Sequence, residues 1–187
     1  MEAEEPLMKD TLVINILGGP GVGKTTLASE LFTSLKKRGK DVEIVSEFAK
    51  ELVWEKRQEA FGDRLYMHAE QNHRLLMMKG ELDYIITDSP LILTSVYNRY
   101  YLEDVFPSSY NDMIDEVVTE TWKMYRNVTF LLEREGDYDT NGRRENSKEA
   151  SDIDKAIHEY IKKNRLEVHI LKDRDGAVDE ILRVLDL

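Results

Sequence analysis

Short apolar runs alternate with amphipathic stretches along most of the chain, and this alternation predicts repeated strand–helix units. Residues 11–17 (TLVINIL) are β-branched and almost wholly apolar, the pattern of a strand buried on both faces. Leu27, Leu31 and Leu35 then recur at helical spacing through Lys36, and Gly39 is placed to stop that helix. Residues 41–46 (DVEIVS) read as a second strand and 47–58 as a helix with Phe48, Leu52 and Val53 inward. A helix over 64–79 carries Leu65, His68, Leu75, Leu76 and Met78 at helical spacings and is closed by Gly80. Strands follow at 84–87 (YIIT) and 128–132 (VTFLL), an amphipathic helix at 147–163, a fifth strand at 167–171 and a closing helix at 177–185. Strands that alternate with helices pair in parallel and are covered on both faces, so the fold class is α/β with a parallel sheet. Ligands of such sheets gather at the carboxyl ends of the strands.

Chemistry enters at the end of the first strand. Residues 18–25 (GGPGVGKT) fill the pattern G-x-x-x-x-G-K-[ST] of a phosphate-binding P-loop, between a strand and a helix as that motif requires. Glycines there let the backbone approach a polyphosphate with its N–H groups turned inward. The expected triphosphate-binding residues are Gly19, Gly21, Val22, Gly23, Lys24, Thr25 and Thr26. Lys24 supplies a mobile charge for the β- and γ-phosphates, and the Thr25 hydroxyl is placed to bind Mg²⁺. The helix that starts here points its dipole at the same anion.

The strand-end rule selects two carboxylates. Asp88 follows the strand 84–87 directly, where an acidic residue holds Mg²⁺ together with Thr25. Glu47 follows the second strand and faces the same crevice, where it can take a proton or a hydrogen bond from a substrate hydroxyl. Asp83 precedes its strand and belongs to the opposite edge. Between the fourth strand and the long helix, residues 133–145 are polar, with two glycines and three arginines. A loop of that length in a compact domain reads as a lid, and Arg143 and Arg144, ahead of Arg134, are the candidates to neutralise transferring phosphate. Tyr97, Tyr100, Tyr101 and Tyr110 cluster just beyond Asp88. Such a group packs one helix on its neighbour or stacks on a base, and Tyr97 is the candidate for the second role. Met77 and Met78 read as core filling.

Composition narrows the class. The chain of 187 residues suits one domain, 1–187, with residues 1–10 as a flexible N-terminus. The absence of cysteine excludes disulfides and thiolate metal sites and fits a reducing cytoplasm. The four histidines have no zinc-site spacing. The acidic start contains no apolar core, so neither a signal peptide nor an anchor is expected, and no membrane partner. With 37 acidic against 26 basic side chains, the net charge of −11 disfavours DNA as a partner held through its phosphates.

Together the P-loop, Ser46-Glu47-Phe48-Ala49-Lys50, Glu70-Gln71, Thr87-Asp88-Ser89-Pro90 and Asn141-Gly142-Arg143 resemble the nucleoside and nucleotide kinases, in the branch that includes the ribosylnicotinamide kinase domain and many phage-encoded P-loop kinases. The likeness runs from Thr11 to about Leu185. It implies the three-layer P-loop NTPase fold: a five-stranded parallel sheet of order 2-3-1-4-5, helices on both faces and a lid at about 133–146. It implies Glu47 as base or hydroxyl contact, Asp88 as the metal-side acid and Arg143 as a lid arginine. It also implies Gln71 against the substrate base; Lys50, Arg74 and Tyr97 are further candidates for the substrate side. Where the family often carries arginine after the second strand, this chain has Lys50, which cannot make a bidentate phosphate contact. The expected cofactors are ATP and Mg²⁺, and the expected acceptor is a nucleoside or nucleotide. A hydroxyl on nucleic acid, such as a hydroxymethylated pyrimidine or a 5′ end, is the alternative acceptor. A partner-driving NTPase switch is the alternative of another class, against which stand the missing Asp-x-x-Gly and Asn-Lys-x-Asp. The oligomeric state is open, with a dimer as one candidate.

Overall fold

The computed structural model describes residues 8–134 and 145–187. Its centre is β1 (Leu12–Leu17), five of whose six residues are buried. A strand of this kind must be flanked on both edges and both faces, and it is. β1 pairs in parallel with β3 (Tyr84–Thr87) on one side and β4 (Arg126–Leu132) on the other. β2 (Val42–Val45) and β5 (His169–Leu171) form the edges, giving the order β2-β3-β1-β4-β5. All five strands are parallel, as the sequence pattern predicts.

The two faces of β1 feed two cores. Ile14 and Ile16 pack with Leu27, Leu31 and Leu35 of α1 (Lys24–Lys37) and with Ala177, Ile181 and Leu182 of α7 (Ala177–Val184). Leu17 faces the other way, onto α4 (Leu93–Leu102), α5 (Ser108–Lys123) and α6 (Ser147–Asn164) through Val96, Ile114 and Ile153. Val13 meets Leu75 of α3 (Arg64–Leu76) on that same side. Polar Asn15 shares the strand because its amide is satisfied: Nδ2 donates to Asn127 Oδ1 at 3.1 Å and to the carbonyls of Val13 and Val128.

Several boundaries differ from the sequence reading, each for a physical reason. α2 (Phe48–Trp54) stops well short of residue 58 because Lys56 takes a left-handed φ of 58°, letting Arg57 N–H return to the Leu52 carbonyl. No glycine marks that stop. Val53 is accordingly 48% exposed and not inward, and a 3₁₀ turn (Gln58–Gly62) follows. α3 ends at Leu76, so Leu76 and Met77 are exposed and only Met78 of the methionine pair packs inward. α4 and α5 occupy a stretch in which the sequence pattern assigned no element. β4 begins two residues earlier and β5 two residues later than expected. α6 starts at Ser147 because Asn146 and Glu149 form a reciprocal capping box. Asp83 lies at the amino edge of the sheet, as expected, beside Lys9 and the Asp41 N–H. No helix among the described residues is long and apolar enough to cross a membrane.

His68 ties three helices of the second core together. Thr121 Oγ1 gives its proton to the Val117 carbonyl at 2.8 Å, so it accepts from His68 Nε2 at 2.8 Å, which leaves Nδ1 to accept from Thr94 Oγ1 at 3.2 Å. Burial lowers the imidazole pKa from 6.5 to about 4. The unfolded chain therefore takes up a proton below pH 6.5 that the fold refuses until about pH 4. Stability should fall across that window by up to about 3 kcal/mol and level off below it. Urea unfolding of the parent and of His68→Gln, measured from pH 7 to pH 4, checks this: the decline should be shallower in the variant.

Candidate functional site

The carboxyl ends of β1, β2 and β3 lie side by side because the strands run in register: Asn15 and Val45 both pair with Thr87. The segments that leave these three strand ends are therefore brought together. After β1 comes the glycine loop, and two of its positions show why glycine is needed. At Gly18 (φ 154°) a Cβ would stand 2.7 Å from the Leu132 carbonyl oxygen, and Gly23 takes a left-handed φ of 98° as it opens α1. Val22 anchors the loop by burying its side chain in the first core. Two arginines hold loop carbonyls from outside: Arg134 Nη2 donates to Pro20 at 2.8 Å and Arg174 Nη2 to Val22 at 2.6 Å. The N–H groups of Gly19, Gly21, Val22 and Gly23 donate to no acceptor among the described residues. A row of such donors above a helix start is a receptor for an anion.

Thr25 and Asp88 meet at the floor. Thr25 Oγ1 donates to Asp88 Oδ2 at 2.5 Å, and Lys50 Nζ bonds both atoms, at 2.7 Å and 3.1 Å. Asp88 is 2% exposed, and its Oδ1 is buried with no hydrogen-bond partner. An orphaned carboxylate oxygen beside a hydroxyl is the donor set of a hard divalent ion whose remaining ligands are phosphate and water. Among the described residues no cluster of three His, Cys, Asp or Glu offers a self-sufficient metal site.

Lys24 folds back to donate to the Gly19 carbonyl at 2.7 Å. Burial pushes its pKa down, against the pull of Glu47 and Asp88. Glu47, at the start of α2, has its pKa raised by burial, an effect that Lys24 and Lys50 oppose. Lys24, Thr25, Glu47 and Lys50 line one cleft of about 320 Å³ together with Phe48, Phe61, Met67, Leu93, Tyr97 and Tyr101. That volume suits a small organic ligand. Tyr97 and Tyr101 stack with planes 4° apart, the Arg64 guanidinium lies over the Tyr101 ring, and the Tyr101 hydroxyl donates to Glu145.

Of the expected residues, Lys24, Thr25, Thr26, Glu47, Lys50, Gln71 and Tyr97 all line this cleft. Arg74 does not. It forms a two-pronged ion pair with Glu51 at 2.7 and 2.6 Å and lies over the Phe48 ring. Gln71 is committed to backbone: its Oε1 accepts from the Phe48 N–H at 3.1 Å and its Nε2 approaches the Ser46 carbonyl at 3.4 Å. Arg143, Arg144 and most of the expected lid fall outside the described residues. The sequence reading missed Arg174. Its position just after the last strand, on the carboxyl side of the sheet, is the signal that could have found it.

A protein-family model described as AAA domain matches residues 13–179. The chain belongs to that AAA-domain family. No curated protein matches it. Among solved structures, NadR in complex with NR is similar at 18% identity over 95% of this chain, with a TM-score of 0.75; the chain spans about half, 52%, of NadR. A deoxyadenosine kinase from M. mycoides is similar at 18% identity and TM-score 0.65, covering 93% of this chain and 98% of its own. A thymidylate kinase from Ehrlichia chaffeensis is similar at 19% identity and TM-score 0.63, covering 94% and 99%. The fold of this AAA-domain chain is thus the one those kinases share.

Gln71 makes a prediction separable from chemistry. Replacing it by Leu leaves the Phe48 N–H buried and unpaired at the turn that carries Glu47. The loss should be about 1–3 kcal/mol, read as a lower urea midpoint at unchanged slope.

Proposed function

We propose that this protein is a kinase that moves the γ-phosphoryl group of Mg²⁺-ATP to a hydroxyl of a nucleoside or nucleotide. The observation that carries the reading is one cleft lined by the glycine loop, Thr25, Glu47, Phe48 and Tyr97, with Asp88 hydrogen-bonded to Thr25 beneath it. The kinases whose fold it shares support the same reaction class.

The loop N–H groups and Lys24 bind the β- and γ-phosphates; Thr25 and Asp88 would hold Mg²⁺, which would supply positive charge against the phosphate oxygens. Glu47 accepts the proton of the acceptor hydroxyl as its oxygen forms the new bond to phosphorus and the bond from the γ-phosphorus to the bridging oxygen breaks. Lys24 is assigned the charge that develops on the oxygen leaving with ADP. Arg143 and Arg144 are assigned the charge on the transferring group. The acceptor's base is assigned to Phe48 and Tyr97, whose flat apolar surfaces favour an aromatic ring.

ATP turnover measured with a panel of nucleosides, nucleotides and single- and double-stranded DNA tests this. Turnover should depend on a nucleoside or nucleotide; a requirement for DNA moves the acceptor to nucleic acid, and full-rate hydrolysis without acceptor makes the chain an NTPase switch. Lys24→Ala should abolish turnover, whereas Glu47→Gln should lower kcat by roughly 10²–10⁴ with ATP binding retained. Because burial raises the Glu47 pKa, its base form is filled only above the ordinary carboxylate range. The rate should accordingly climb with pH through that raised value and then level off, and the Glu47→Gln profile should lack this limb.

A further inference from the structure

Lys50 rests where a divalent ion would need to bind. Its Nζ takes a lone pair of Thr25 Oγ1 at 2.7 Å and lies 3.1 Å from Asp88 Oδ2, the two groups assigned above to the metal. The Thr25 hydroxyl has one proton, already given to Asp88, so its free lone pairs are what both cations require. Local structure does not favour an ammonium there. Lys50 occupies the first turn of α2, where the positive end of the helix repels a cation. It also shares the cleft with Lys24, whose pKa the Lys50 charge helps to lower. The carboxylates hold it instead: Asp88, and Glu47 at 3.8 Å. Its side chain is 46% exposed, so the stem can rotate without unpacking the core.

We propose that Lys50 is a built-in stand-in for the metal ion. In the absence of a divalent cation its ammonium keeps Thr25 and Asp88 together and lowers the cost of the buried Asp88 charge. A divalent ion and an ammonium repel strongly at one oxygen pair in a partly dry cleft, so loading the metal expels Lys50. Its stem starts beside Glu47, and the released charge swings toward the transferring phosphate as a positioning residue. Metal loading and phosphate engagement are thereby coupled through one side chain. The inference rests on the kinase reading for the phosphate half, whereas competition for Thr25 and Asp88 stands on their geometry.

The test titrates Mg²⁺ by calorimetry, and Mn²⁺ by electron paramagnetic resonance, into full-length protein saturated with a non-hydrolysable ATP analogue. Lys50→Met and Lys50→Gln should bind the metal about fivefold or more tightly than the parent, the lower end of measured coupling between sites. Both should show a reduced kcat for transfer with a smaller change in KM for ATP. Metal affinity equal to or weaker than the parent's in both variants overturns the proposal, because a purely structural ion pair would change melting temperature and not metal affinity. Tighter metal binding with kcat unchanged overturns the positioning half. Tighter binding in a protein that phosphorylates no acceptor supports the stand-in and sinks the kinase reading. Asp88→Asn should bind the metal more weakly than the parent; if its metal affinity equals the parent's, the metal does not use the pair that Lys50 covers, and the stand-in falls.

Discussion

The site depends on one contact between segments far apart in sequence, the hydrogen bond from Thr25 Oγ1 to Asp88 Oδ2. It joins the first turn of α1 to the end of β3, and it forms because β1 and β3 are adjacent in the sheet although β2 lies between them in the chain. Each strand is short, so its end lies close to the pairing that fixes it: Asn15 opposite Thr87 sets the height of the glycine loop and of Asp88 together. A slip of one residue would turn Asp88 to the other face of the sheet and dismantle the pair. The apolar burial that locks β1 in register is thus also what positions the phosphate loop and its acid.

This arrangement is electrostatically costly. Burial drives the Lys24 pKa down and the Glu47 pKa up, so the cleft disfavours the charged form of both groups. Each partly relieves the other, and neither is fully compensated by a direct hydrogen-bonded ion pair; Lys24 rests on a carbonyl. Groups held this way gain most from an incoming ligand of complementary charge, since binding supplies the solvation the fold withholds. The offsetting stability lies elsewhere, in two apolar cores on opposite faces of β1. The His68 network ties α3 and α4, which line the cleft, to α5 behind them.

How legible each element was in the sequence depends on how local its cause is. The strands, the glycine loop and α1 could be read because apolar runs and glycine chemistry act over a few residues. Strand-end logic brought Glu47 and Asp88 to the same end of the sheet, since in a parallel sheet that position is topological; Glu47 lines the cleft and Asp88 lies buried against Thr25. The end of α2 was illegible: it depends on Lys56 adopting a left-handed conformation that its side chain does not advertise. α4 and α5 were missed because their inward faces mix Ser95, Asn98 and Asn111 with apolar residues, which blurs the helical period. Which partners Arg74 and Arg174 take could not be read from sequence. One is taken up by Glu51 and the other by a loop carbonyl, and long side chains choose partners only after the backbone has folded.

Gln71 shows how the fold constrains recognition at the acceptor end. Resemblance assigned it to a base, yet its carbonyl oxygen is spent on the Phe48 N–H, the first amide of α2. That bond holds the turn on which Glu47 stands, so turning the amide toward a ligand would leave a buried donor unpaired and loosen the proposed base. Hydrogen-bond selection by Gln71 would therefore compete with catalysis itself. Stacking carries no such penalty at Phe48 and Tyr97, which line the cleft and whose rings are set by aromatic packing against Tyr66 and Tyr101. Selectivity built on ring faces discriminates by size and flatness more than by the pattern of donors and acceptors, because every aromatic base offers a π-face. A kinase site organised this way should accept bases of similar outline with similar efficiency, and lose those too large for a cleft of about 320 Å³.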